Sequence, residues 1–273
     1  MEEYLKRIAD SLERAFPPDP DNYFFEKADA FIWEPARNHF SQVNDISTVD
    51  ISLLKGMDEE IQQVTFNTEA FVEGKLANNV LVWGARGMGK STLIKSVVKA
   101  ASSKNNNLKI IEVARDDIGK VDKLLKLIKN INKKFIIFCD DISFDDNETS
   151  YKSLKSILDG GLIGGMHNIL VYATSNRRHL LSRKNGNGDD FIRWEEELDE
   201  RLSISDRFGI SIGFYECDQN LYLEIVISYA KSFGFDMSVK ELSQKAIEWQ
   251  VQRGSRSGRV AKQFIVSLLS RYK

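Results

Sequence analysis

The chain has 273 residues, 42% hydrophobic and 29% charged, which is enough for one large or two modest domains with a substantial core. A formal net charge of −2 gives no global nucleic-acid signal and leaves a local basic patch as the open alternative. No apolar stretch approaches the ~20 residues of a membrane-spanning helix, so no membrane partner is expected. The two cysteines, Cys139 and Cys217, form no CxxC pair, and the three histidines (His39, His167, His179) lack metal-ligand spacing. A reducing cytoplasm is the expected setting.

In chain order, the charged amino end does not read as a signal peptide. Leu5, Ile8, Leu12 and Phe16 are spaced for an amphipathic helix, which Phe16-Pro-Pro-Asp-Pro-Asp21 stops. Such a helix either docks on its own domain or serves as an arm for a neighbouring subunit. Residues 1–50 are read as a helical or irregular extension. From about residue 78, β-rich apolar runs alternate with helix-length stretches: Val80–Trp83, Leu108–Val113, Lys134–Cys139, Asn168–Ala173 and Ile210–Phe214. Near-continuous apolar strands separated by helices predict a parallel sheet covered on both faces. Residues 51–215 form this α/β domain, and residues 216–273, all helical in pattern, form a small second domain.

The first of these runs leads into Gly84-Ala85-Arg86-Gly87-Met88-Gly89-Lys90-Ser91-Thr92, which fits G-x-x-x-x-G-K-[ST] with a strand before it and a helix after it. The glycines let successive amides point into one anion-binding nest, to which the helix adds its positive dipole end. Lys90 is placed to reach the β- and γ-phosphates of a nucleotide, and Ser91 to ligate Mg²⁺. A guanine-reading NKxD is missing, since Asn132-Lys-Lys-Phe135 lacks the aspartate, so ATP is the expected nucleotide.

The run ending at Cys139 meets Asp140-Asp141 at the edge of the sheet where α/β folds bind ligands. Asp140 is assigned to Mg²⁺ and Asp141 to the attacking water, the alternative being a pair of acids that caps the next helix. Asp145, Asp146 and Glu148 precede a helix read over 151–158 and suit the positive end of its dipole, the alternative being partner or metal contacts. Asn176, at the tip of the fourth strand, suits a γ-phosphate or the attacking water. Arg207, just ahead of the fifth, suits a neighbouring subunit's site. Arg259 opens the final helix against the dipole preference and so calls for an anionic partner. Arg253 and Arg256 are alternatives for that role, or a basic patch.

Taken together, WGARGMGKST, FCDDISF, YATSNRRHL, SDRFG and RGSRSGRVAKQF resemble the AAA+ ATPases, and within them the bacterial family catalogued as domain of unknown function 815. The resemblance spans about residues 50–272. It implies a P-loop AAA+ core with a five-stranded parallel sheet in the order 5-1-4-3-2 and a C-terminal α-helical lid. It makes Lys90 the Walker A lysine, Asp140 the Walker B aspartate, Asn176 sensor 1, Arg207 an arginine finger acting in trans and Arg259 sensor 2. It also places Gly56 and Met57 beside the adenine. The expected activity is ATP hydrolysis to ADP and phosphate by a homo-oligomer, coupled to remodelling or loading of an unknown protein or nucleic-acid client. The alternative is a nucleotide-gated binding module with little turnover that acts on nucleic acid. Aspartate at position 141, where glutamate is more usual, departs from the class and bears on the rate.

Overall fold

In the computed structural model, the structure describes residues 1–15, 19–142, 148–158, 167–176 and 204–272. Asp145, Asp146, the Arg177-Arg178 pair and the polar stretch 182–190 lie outside them.

All five expected strands form: β3 (Val80–Gly84), β4 (Leu108–Val113), β5 (Lys134–Cys139), β6 (Ile169–Ser175) and β7 (Ile210–Phe214). The sheet nevertheless has seven strands, not five, in the order β2-β1-β4-β5-β6-β3-β7. The expected count of five is corrected accordingly: the five expected strands keep their expected sequence among themselves, β7-β3-β6-β5-β4, and two more lie beyond β4. These are β1 (Ala30–Glu34) and β2 (His39–Val43), an antiparallel hairpin from the segment read as helical or irregular. β1 joins β4 in parallel.

The hairpin is held by burial and by charge. Phe31, Trp33 and Phe40 are almost fully buried, and Phe25 meets Phe31, Phe40 and Phe135 edge-on with ring centroids 5.0, 5.3 and 4.9 Å away. Aromatic contacts of this kind add to the stabilisation from apolar burial. At the hairpin's entrance, the Asp29 carbonyl accepts the Ile110 amide (2.9 Å), and its carboxylate pairs with Lys109 at 2.7 Å. The Lys109 side chain is fully buried and also donates to Asn106.

Alternate residues of the central strands point to opposite faces, as strand geometry requires. Leu81, Ile111, Ile137 and Val171 join one apolar cluster, with α4 (Val121–Ile128) and α5 (Glu148–Leu158). Val80, Val82, Ile110, Ile136 and Tyr172 join another, with α2 (Asp58–Val72) and α3 (Lys90–Lys104). The second cluster continues without a break into three C-terminal helices, α6 (Gln219–Ser232), α7 (Val239–Arg253) and α8 (Gly258–Tyr272). Side-chain caps start each of these: Asp218 accepts from Leu221, Ser238 from Glu241 and Ser257 from Val260.

The segment between hairpin and α2 lies along α3. Lys99 pairs with Asp45, Thr48 donates to Ser96 Oγ at 2.7 Å, and Ser96 donates to the Val49 carbonyl at 2.7 Å. By contrast α1 (Glu2–Ala15) leaves Tyr4, Leu5, Ile8 and Leu12 at least half exposed. Among the described residues, no helix is long and apolar enough to cross a membrane.

Candidate functional site

β3 ends at Gly84, whose φ of 125° and proximity to β7 admit no side chain; a Cβ there would stand 1.9 Å from the Phe214 carbonyl oxygen. The chain then loops through 85–89 and enters α3 at Lys90. The Lys90 side chain folds back under this loop, and the residue is only 7% exposed. Its ammonium donates to the carbonyls of Gly84 and Ala85, at 2.8 Å each, and to Asn176 Oδ1 at 3.0 Å. All three donors end on neutral oxygens. Burial pulls its pKa below 10.5, Asp141 and Asp140 work in the opposite sense, and Arg259 and Arg86 reinforce the decrease.

Opposite Lys90, the Ser91 hydroxyl donates to Asp140 Oδ1 at 2.5 Å, and Thr174 Oγ1 donates to the same oxygen at 2.6 Å. Asp141 lies in the left-handed region at φ 52°. Its amide donates to Thr174 Oγ1 at 2.8 Å, and its carboxylate accepts from Asn176 Nδ2. Asn176 thereby links Lys90 to Asp141 through the two ends of one amide.

These groups line a cavity of about 650 Å³. Arg86 through Thr92 line it, together with Asp140, Asp141, Thr174, Asn176 and Met57, and with Arg259 of α8. Gly84 and Ala85 are not part of the lining; their carbonyls receive Lys90. Gly56 forms the turn before Met57, with φ 68° and Leu221 of α6 pressed against it. Arg207 does not line the cavity; its amide closes the turn ahead of β7 by donating to the Ile204 carbonyl at 3.1 Å. Arg253 and Arg256 are exposed, and Arg253 lies over the Trp249 ring.

Sequence reasoning missed several contributors to this cavity. Thr48 and Val49 come from the linker along α3, and Ile225 and Tyr229 from α6. Lys262 lies three residues beyond Arg259, on the same helix face. That spacing was a usable signal for Lys262; for the others only the tertiary fold brings them in.

The residues fit a nucleotide with its metal. A buried ammonium on neutral oxygens, with Arg86, Arg259 and Lys262 around it, suits a polyanion. Among the described residues, no group of three or more His, Cys, Asp or Glu side chains converges. A divalent cation beside Ser91 and Asp140 would therefore complete its shell with water and phosphate oxygens, as Mg²⁺ does.

The class is one of fold: the chain has the AAA+ fold. DNA-bound ORC1 from Aeropyrum pernix superposes with a TM-score of 0.54 at 15% identity, over 78% of this chain and 61% of that one. The Thermotoga maritima RuvB Holliday junction branch migration motor gives 0.47 at 14% identity, over 77% and 69%. AMPPCP-bound DnaA from Aquifex aeolicus gives 0.48 at 18% identity, over 76% and 60%. Within the class, residues 26–272 match the family described as protein of unknown function (DUF815), and the chain belongs to that family. No curated protein matches it in sequence.

Proposed function

We propose that this protein is a cytoplasmic ATPase that binds Mg-ATP in the cavity between the phosphate loop and α6–α8, and hydrolyses it to ADP and phosphate. The observation that carries the reading is Lys90, a buried cation that donates to three neutral oxygens in the same cavity as the Ser91–Asp140 pair.

The phosphate-loop amides and Lys90 hold the β- and γ-phosphates, while Arg259 and Lys262 reach them from α8. Apolar side chains of Met57, Ile225 and Tyr229 cover the base. Ser91 and Asp140 would hold Mg²⁺, which would neutralise charge on the phosphate oxygens. Asn176 and Asp141 orient a water molecule toward the γ-phosphorus, and Asp141 takes its proton as the bond to ADP breaks. The three C-terminal helices act as a lid. Arg207, outside its own cavity, serves the site of a neighbouring copy in a homo-oligomer and stabilises charge on the transferring group there. Turnover drives remodelling or loading of a protein or nucleic-acid client.

The test is nucleotide binding and steady-state hydrolysis by Lys90→Ala and Arg207→Ala. Lys90→Ala is expected to lose nucleotide affinity. Arg207→Ala is expected to keep it, lose turnover by about 10³-fold or more, and regain part of that turnover when mixed with Lys90→Ala subunits. Wild-type hydrolysis by both variants would refute the assignment.

A second reading, a nucleotide-gated module with little turnover that engages nucleic acid, is favoured by one observation. The Asp141 carboxylate is already engaged by Asn176. Exposed Arg253 and Arg256 and the likeness to DNA-bound ORC1 agree with it. It predicts slow basal turnover and DNA or RNA binding that weakens steeply with salt; no binding at low salt would refute it.

A further inference from the structure

We infer that Thr174 is a positioning residue that fixes the orientation of the Asp140 carboxylate and the left-handed backbone of Asp141, and so sets the divalent-cation affinity of the site. The inference rests on the Mg-ATP reading above.

The sheet puts Thr174 where this role is possible. β5 and β6 run in parallel with Phe138 beside Tyr172 and Cys139 beside Ala173, so Asp140 and Thr174 follow at the point where the ladder ends. From there Thr174 bonds three consecutive residues. Its hydroxyl donates to Asp140 Oδ1 at 2.6 Å and accepts the Asp141 amide at 2.8 Å, and its carbonyl accepts the Ile142 amide at 2.7 Å. A hydroxyl has one proton to give, and here it goes to the carboxylate. The residue is 1% exposed, so bulk water does not stand in for a lost hydroxyl. Threonine's branched Cβ also restricts χ1, which keeps the oxygen aimed at both partners.

The left-handed backbone explains why two of these bonds converge on this turn. Aspartate visits that region only at an energetic penalty, and it stays there when surrounding contacts over-determine it. The amide bonds of Asp141 and Ile142 to Thr174 hold the turn, and the third bond orients the carboxylate that Ser91 also contacts. Thr174 acts through Asp140 and Asp141 and performs no chemistry of its own. Hydrogen-bond partners of metal ligands typically change metal affinity by about 10–100-fold when removed.

The experiment compares Thr174→Val, Thr174→Ala and Thr174→Ser in the full chain. Nucleotide affinity is measured in EDTA, and Mn²⁺ affinity of the nucleotide complex by electron paramagnetic resonance. Valine keeps the shape and removes the hydroxyl, alanine removes both, and serine keeps the hydroxyl. Val and Ala are expected to weaken Mn²⁺ binding by about 10–100-fold with metal-free nucleotide affinity unchanged within about twofold. Serine should recover most of the loss. Wild-type Mn²⁺ affinity in Val or Ala overturns the assignment, and so does a serine variant indistinguishable from alanine. An equal fall in metal-free nucleotide affinity also overturns it, because it marks a general loss of structure. If valine does not fold, the alanine–serine pair decides. Wild-type protein that binds no nucleotide even with Mn²⁺ refutes the Mg-ATP reading itself, which separates that failure from failure at Thr174.

Discussion

The amide of Arg259 donates to the carbonyl of Gly87 across 3.2 Å, so the turn that opens α8 rests directly on the phosphate loop. A Cβ on Gly87 would stand 2.9 Å from Ser257 Oγ and 3.3 Å from Arg259 Cβ. The glycine has φ 77° and therefore answers to two constraints, the loop's own turn and the closeness of α8. Gly87→Ala is expected to lower stability by about 1–3 kcal/mol, from backbone strain at positive φ together with crowding. It should also reduce the thermal shift produced by ATP. Calorimetric melts with and without nucleotide check both effects.

Asp141→Asn keeps the size of the side chain and removes its basicity. With Asp141 as the proton acceptor, turnover should fall by about 10²–10⁴-fold while nucleotide affinity stays near wild type. Equilibrium binding of a fluorescent nucleotide alongside phosphate release separates the two quantities.

The depressed pKa of Lys90 gives the site a pH signature. The free protein releases this proton below 10.5, whereas a bound polyphosphate favours the charged ammonium. Nucleotide affinity is therefore expected to fall as pH rises through the alkaline range below 10.5, with proton uptake on binding in that window. The loss should be absent in Lys90→Met, which starts from weak binding at every pH. Burial moves the cysteines out of the way, Cys139 to about 12 and Cys217 to about 11. Titration calorimetry in two buffers of different ionisation enthalpy measures the protons taken up.

Lys109 and Asp29 make a further test. Asp29→Ala leaves a fully buried ammonium without its carboxylate and should destabilise the fold by about 1.5–3 kcal/mol. Lys109→Met should be milder, because Asp29 is partly exposed and water can solvate it. Urea unfolding of both variants gives the comparison.

Leu5→Ser combined with Ile8→Ser should leave the melting temperature unchanged, the shift in stability staying within about 0.5 kcal/mol. Both side chains are more than half exposed, so their loss removes no packing from the chain's own core. Scanning calorimetry checks this, and sedimentation velocity on the same sample shows whether association changes.

The phosphate loop, Asp140 and Asn176 were legible because each is fixed by a short local pattern: a glycine spacing, an acid at the end of an apolar strand, an amide at a strand tip. The five central strands were legible because burial on both faces makes them continuous apolar runs. The hairpin was not. Phe31, Trp33 and Phe40 alternate with polar or less buried residues in two runs of five, too short to separate from an irregular segment. Pro35-Ala-Arg-Asn38 between those runs, with Asn38 at φ 52°, was the available turn signal. Thr174 stood inside a quoted motif, yet its importance depends on the register of β6 against β5, which no local pattern encodes. Tyr229 and Ile225 look like ordinary apolar helix positions until α6 is placed over the cavity.

The buried pairing of Lys109 with Asp29 bears on how such a chain can be inherited. A recombination event that joined a new leader at residue 50 would keep every residue proposed to hold phosphate. It would also strip the outer strands from the sheet, remove the Phe25 ring from Phe135 and leave Lys109 without its carboxylate. The stretch from about residue 19 to 50 is therefore expected to travel with residues 51–272 as one heritable block.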